Sequence, residues 1–133
     1  MKEEMLMVTA KKEPVIKKSN HKAIENYAHE MEMEADFHKN KNDLETAEKF
    51  YEKAFSYNMI AAEYGNAEAQ WTIYRFYKNG CWVKQDYEKA AFWLARSFEN
   101  GNIYASTSDE KINEIINEKL QQWRDNGWKG GGK

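Results

Sequence analysis

Apolar side chains recur every three to four residues along most of the chain, the spacing that places them on one face of an α-helix. Ser19 or Asn20 caps the first predicted helix, which runs to about Asn40. The later runs are bounded by capping Asp or Ser residues and by glycines, which typically start and stop helices. They predict four more helices, at about 44–64, 67–78, 86–100 and 108–126.

Two parts of the chain are similar at an offset of 36 residues: the heptapeptide YEKAFSY at 51–57 aligns with YEKAAFW at 87–93, and Gly65-Asn66 aligns with Gly101-Asn102. A repeat of this length with two helices per period is typical of an α-solenoid, in which each hairpin buries its apolar face only against its neighbours. We therefore predict an all-α fold, a short α/α solenoid of about five antiparallel helices made of two hairpins and a capping helix.

A set of small, aromatic and loop residues between 65 and 101 fits one known repeat pattern. Its members are Ala67, Ala69, Ile73, Tyr77, Gly80, Val83, Asp86, Lys89, Ala90, Trp93 and Gly101. The stretch resembles a Sel-one-like repeat, a branch of the tetratricopeptide superfamily, and weaker copies extend the resemblance over about 29–126. Tyr74 departs from the pattern where a helix-packing glycine is usual, and Trp82 replaces the second glycine of the loop. The resemblance implies an adaptor or scaffold that binds proteins or peptides and is not an enzyme.

The composition divides the chain into three zones. Residues 1–18 are rich in lysine, contain the only proline and have no aromatic residue, so we predict a basic, weakly structured N-terminal arm. Residues 19–126 form the predicted repeat domain. Residues 127–133 form a glycine-rich tail, for which a flexible structure is expected.

The predicted binding surface is the groove lined by the first helix of each hairpin, as the resemblance to tetratricopeptide-like stacks implies. In this groove Trp71 would be the apolar anchor, because a tryptophan flanked by basic residues suits an interaction hot spot. The alternative role of Trp71 is packing against a neighbouring helix or the N-terminal arm. The alternative role of Trp82 is packing against Tyr87. Arg75 and Lys78 would pair with acidic groups of the partner. The full set of predicted partner-binding residues is Glu68, Trp71, Tyr74, Arg75, Lys78 and Trp82.

The segment 23–36 contains five acidic residues and no basic one. We predict that the first helix carries an exposed acidic face made of Glu30, Glu32, Glu34 and Asp36. This face suggests an alternative function, that of a bacterial or phage inhibitor or immunity-type protein that blocks an enzyme. In one form of this alternative, the acidic helix imitates a nucleic-acid backbone.

The sequence contains few patterns that are typical of catalytic or metal sites, so we predict no catalytic residue, metal or cofactor. Glu30, Glu34 and His38 recur every four residues and could share a metal, but no second ligand motif occurs elsewhere in the chain. A metal-dependent enzyme using His29, Glu34 and His38 is a remote alternative. No nucleophile motif accompanies the single cysteine, and the terminal glycines have no strand or helix that would make them a phosphate loop.

Charge and targeting features narrow the partners further. The 20 basic and 22 acidic residues give a net charge of −2, which does not favour binding to nucleic acid or to an anionic membrane. One cysteine excludes an internal disulfide, and the acidic start of the chain does not match a signal peptide. We therefore expect a cytoplasmic protein with a protein partner. A homodimer, in which a second copy covers an end of the short stack, is an open alternative.

Overall fold

The structure is a computed structural model that describes residues 12–130 and Gly132. A turn of 3-10 helix at Lys18–Asn20 is followed by five α-helices: α1 His21–Asn40, α2 Leu44–Glu63, α3 Ala67–Asn79, α4 Tyr87–Glu99 and α5 Glu110–Asp125. Each helix packs against the next one in the chain. The predicted all-α fold, with two hairpins and a closing helix, is therefore confirmed.

Local capping explains where the helices begin and end. The side chain of Asp43 accepts a hydrogen bond from the backbone N–H of Thr46, and Asp86 accepts one from Lys89 in the same way. Gly65 and Gly101, one repeat apart, follow the ends of α2 and α4 with φ angles of 96° and 105°. Only glycine adopts this left-handed backbone without strain, so both hairpins end in the same way.

The repeat also shows in the core. Ala54 in α2 and Ala90 in α4 occupy equivalent positions, and both are completely buried. A methyl group at these positions lets the neighbouring helices approach closely. Trp93, one turn after Ala90, is 1% exposed and belongs to the core cluster to which all five helices contribute.

Aromatic rings close the end of the stack. Trp123 and Trp128 pack edge-on against Phe92, with ring centroids 5.4 and 5.6 Å away. These two tryptophans therefore cover the end of the last hairpin. The indole N–H of Trp93 donates a hydrogen bond to the carbonyl oxygen of Gly132, which is itself buried. Residues 131 and 133 of the predicted tail lie outside the described part of the chain.

Part of the predicted arm lies against the first hairpin. Glu13 is 3.8 Å from the ammonium of Lys53, and burial, together with a hydrogen bond to Glu13, raises the pKa of Tyr57. Residues 12–17 are irregular, whereas residues 1–11 of the predicted arm lie outside the described residues.

The two hairpins differ in length, and this difference positions the candidate site. The helices of the first hairpin have 20 residues each and those of the second have 13. At about 1.5 Å per residue, the first hairpin is roughly 10 Å longer. The loop at 80–86 connects α3 to α4 opposite the first turns of α2. An open space remains between the long hairpin and this loop.

Candidate functional site

Helices α1 and α3 lie on two sides of a groove, and a double hydrogen bond connects them. Arg75 Nη1 is 3.1 Å from Glu32 Oε2, and Nη2 is 3.0 Å from Oε1. The Glu32 side chain is 13% exposed and that of Arg75 is 32% exposed, so this bidentate pair is partly shielded from water. We call it the Glu32–Arg75 bridge. It separates a larger cleft, towards the hairpin loops, from a smaller compartment near the start of α3.

The bridge corrects the role predicted for Arg75. Both terminal nitrogens of its guanidinium bind Glu32, and its Cζ lies 4.9 Å from the ring centroid of Trp71. Arg75 therefore holds the two walls of the groove together and is not a free cation for an acidic partner. Lys78, the other predicted cation, lies 5.8 Å from the ring of Tyr74 and lines neither compartment.

The prediction that Tyr74 extends the accessible surface is also corrected. The side chain is 4% exposed and belongs to the core cluster. Tyr74 lies one helical turn from Gln70 and Tyr77, which are both buried, so the same side of α3 carries its ring into the interior. Its ring packs against that of Trp71, which lines the smaller compartment, and the two ring centroids are 6.5 Å apart.

The predicted acidic face is divided by the structure. Positions two apart on a helix point to nearly opposite sides, so Glu32 and Asp36 face the groove whereas Glu34 faces away from it. Glu32 binds Arg75, and Asp36 accepts a hydrogen bond from the hydroxyl of Tyr51. Burial and this hydrogen bond raise the pKa of Tyr51. The four acidic residues of the prediction, Glu30 included, therefore lie on two sides of α1, and the two on the groove side are already paired.

His38, one of the candidate metal ligands, is a packing residue. It is 2% exposed and stacks on Phe50 with ring centroids 5.5 Å apart. Its Nε2 lies 3.3 Å from Glu34 Oε1, and its Nδ1 lies 3.6 Å from Asp43 Oδ2. The sequence repeat places His38 at the position of Tyr74 in the next hairpin, and both rings are buried.

The larger compartment is a cleft of about 810 Å³ where the first hairpin extends past α3. Leu44 and Trp82 are apolar residues that line it from α2 and from the loop, with exposures of 59% and 44%. Lys39 and Lys84 also line it. Exposed apolar groups flanked by charged ones are typical of binding surfaces. Of these four residues, Trp82 is a predicted partner-binding residue, and shifting the predicted groove by one repeat also reaches Lys39. Leu44 continues the apolar stripe of α2 by one turn, which is the signal in the sequence that points to it.

Trp82 is one of three non-glycine residues in the described part of the chain, with Asn42 and Trp128, that have a left-handed backbone. Its φ angle is 64°, in the left-handed region. A side chain there costs roughly 1–2 kcal/mol, which glycine avoids. Strained conformations of this kind concentrate at functional sites. The sequence departs from glycine at a position where the backbone favours it, and the resulting ring is half-exposed at the cleft.

Cys81 lines the same cleft but does not provide a nucleophile. Burial raises the pKa of its thiol, and the nearby Glu32 carboxylate raises it further. The thiol is therefore protonated at neutral pH and contributes a weakly polar surface.

We expect the Glu32–Arg75 bridge to show strong energetic coupling. Glu32→Gln or Arg75→Met alone should lower the free energy of unfolding by about 1–3 kcal/mol, because each leaves a partly buried charge unpaired. The double variant should lose about 1–2 kcal/mol less than the sum of the two. Urea unfolding measures this cycle. The more exposed pair Glu88–Lys119 is the matched control, with an expected coupling below about 0.5 kcal/mol; additivity at the bridge would contradict the expectation.

Neither a metal site in the described residues nor a similarity to known proteins indicates a function for the groove. No group of three or more His, Cys, Asp or Glu side chains in the described ranges is placed to hold a metal ion. None of the helices described above is both long and apolar enough to span a bilayer. Comparisons with protein-family models, curated proteins and solved structures found no match. The function must therefore be inferred from the geometry of the groove.

Proposed function

We propose that the protein is a non-catalytic peptide-binding module of the adaptor or scaffold type. The observation that carries this proposal is Trp82, whose ring is half-exposed at the edge of the cleft on a strained backbone. Leu44 offers a second exposed apolar side chain in the same cleft. A buried aromatic anchor is the usual energetic centre of a peptide interface, and these two residues can enclose such an anchor from the partner.

The rest of the cleft suits a peptide more than a small reactive substrate. Its inner wall carries Asp36 bound to Tyr51 and Glu32 bound to Arg75, so these polar groups are already paired before a ligand arrives. Lys39 and Lys84 remain at the cleft as cations for acidic groups beside the anchor. They take the role that the sequence analysis assigned to Arg75 and Lys78.

Membership of the Sel-one-like repeat family and a cytoplasmic location are part of the same proposal. The equivalent left-handed glycines, Gly65 and Gly101, support the family assignment. The loop that the family pattern fills with glycine is the loop that carries Trp82 here. The single cysteine is consistent with a reducing compartment.

Selection from a library of random dodecapeptides tests the proposed function. We expect enriched peptides to share an apolar residue with acidic neighbours and to bind the protein with micromolar dissociation constants. Binding is measured by fluorescence anisotropy for the wild type and for the Trp82→Gly variant. A library that yields no shared motif, or peptides that bind the variant equally well, would overturn the proposal.

A further inference from the structure

The smaller compartment of the groove has the features of a second, polar binding site. It measures about 370 Å³ and lies on the other side of the Glu32–Arg75 bridge from the cleft. Its walls include Glu25 and His29 from α1 and Glu68 and Trp71 from α3. Its volume is at the lower end of the range of about 300–1,000 Å³ found for small-ligand sites.

Asn58, from α2, forms the buried part of this compartment. Its side chain is 1% exposed, and its Nδ2 has no hydrogen-bond partner among the residues that the structure describes. An unsatisfied buried donor costs roughly 1–3 kcal/mol, and nearly all buried polar groups avoid this cost. The buried amide would have to turn towards the compartment to be reached, and a ligand that brings a carbonyl oxygen would then satisfy it.

The charge of the compartment favours a cation. Glu25 and Glu68 line it from opposite helices, and neither forms an ion pair within the described part of the chain. Burial raises the pKa of Glu25; His29 lowers it, Glu68 raises it and Lys22 lowers it. Among the described residues that line the compartment, Arg75 carries the guanidinium, and Glu32 neutralises it. A bound ammonium would offset the desolvation of Glu25 and reduce the mutual repulsion of the two carboxylates.

We propose that this compartment binds a basic residue of the peptide that occupies the cleft, an inference that rests on the proposed function. The lysine or arginine cation lies between Glu25 and Glu68, and a carbonyl oxygen of the peptide accepts a hydrogen bond from Asn58 Nδ2. The ring of Trp71 packs against the aliphatic part of the basic side chain.

The helical rise fixes the spacing between the two compartments. Glu68 in the compartment and Asn79 at the cleft are both in α3; at 1.5 Å per residue they are about 16 Å apart along the axis. An extended peptide covers this distance in about five residues, at roughly 3.3 Å each. The recognised sequence therefore contains a basic residue about five positions from its apolar anchor.

Titration with a capped lysine tests this inference without a long peptide. The probe is Nα-acetyl-lysine N-methylamide, followed through the side-chain amide of Asn58 and the indole N–H of Trp71 in ¹⁵N NMR spectra. We expect millimolar binding, at least tenfold weaker binding of the uncharged norleucine analogue, and at least fivefold weaker binding to the Glu25→Gln/Glu68→Gln variant. The matched control, Glu114→Gln/Glu118→Gln, removes two exposed carboxylates from α5 and should bind as the wild type does.

The outcomes separate this inference from the proposed function. The probe is too short to reach Trp82, so the Trp82→Gly variant should bind it with unchanged affinity. Absence of shifts at Asn58 and Trp71, or equal binding of the norleucine analogue, would overturn the inference. Neither result would overturn the proposed function. That function is tested separately, by whether the selected peptides depend on Trp82 for binding.

Discussion

Replacing Trp93 with alanine is expected to lower the free energy of unfolding by about 3–5 kcal/mol, the usual cost of truncating a fully buried large aromatic side chain. The ring is 1% exposed, packs edge-on against Phe92 with centroids 5.1 Å apart, and donates a hydrogen bond to Gly132. Its loss leaves a cavity where the second hairpin meets α5, and the backbone of three packed helices cannot collapse to fill it.

Chemical denaturation followed by circular dichroism measures this effect. The matched control is Trp82→Ala, which removes the same side chain where it is 44% exposed and should cost no more than about 1 kcal/mol. Equal losses for the two variants would contradict the placement of Trp93 between the repeat and the closing helix. A variant too unstable to purify would be replaced by Trp93→Phe, with a smaller loss in the same direction.

Removing the two apolar residues of the cleft is expected to abolish peptide binding while the fold is retained. Trp82→Gly and Leu44→Ala should each weaken a selected peptide by about tenfold or more, the effect of a hot-spot residue. Neither variant should lower the free energy of unfolding by more than about 1 kcal/mol, because neither side chain is buried. At Trp82 the glycine also relieves the left-handed backbone, where φ is 64°.

Fluorescence anisotropy gives the affinities, and urea unfolding gives the stabilities. The control is the Phe98→Ala/Ile103→Ala variant, which removes two exposed apolar side chains at 55% and 71% exposure outside the cleft. We expect it to bind selected peptides as the wild type does. If the control loses affinity and the cleft variants keep it, the peptide site lies at the other end of α4.

The helices could be predicted from the sequence because local chemistry decides their ends. Asp43 and Asp86 satisfy backbone N–H groups only three residues away, and Gly65 and Gly101 supply a backbone conformation that other residues avoid. None of these signals depends on a distant part of the chain. The repeat then indicated which helices pair.

The groove could be predicted only in outline, because its contacts depend on how α1 and α3 are aligned. Shifting by one repeat places Glu32 at the position of Glu68, whereas the structure places Glu32 against Arg75, 43 residues later. Three-dimensional packing sets this alignment, and no local pattern encodes it. For the same reason no local pattern shows that Tyr74 is buried, or that Asn58 Nδ2 has no hydrogen-bond partner among the described residues.

The cleft depends both on local sequence signals and on packing between distant residues. The difference in hairpin length follows from the predicted helix bounds. Trp82 is a candidate from the sequence because it replaces a loop glycine. What the sequence could not supply was that Leu44 and Trp82 line one space from different hairpins. Because of this arrangement, we expect the main apolar contact with the partner at Leu44 and Trp82 and not at Trp71.

Mapping a selected peptide on the ¹⁵N-labelled protein tests peptide binding in the cleft most directly. The amide shifts are expected to change most at 36–48 and 79–84, with the indole N–H of Trp82 among the most affected signals. Largest changes around Phe98, Ile103 and Tyr104, the other exposed apolar residues near the end of α4, with the Trp82 indole unperturbed, would contradict it.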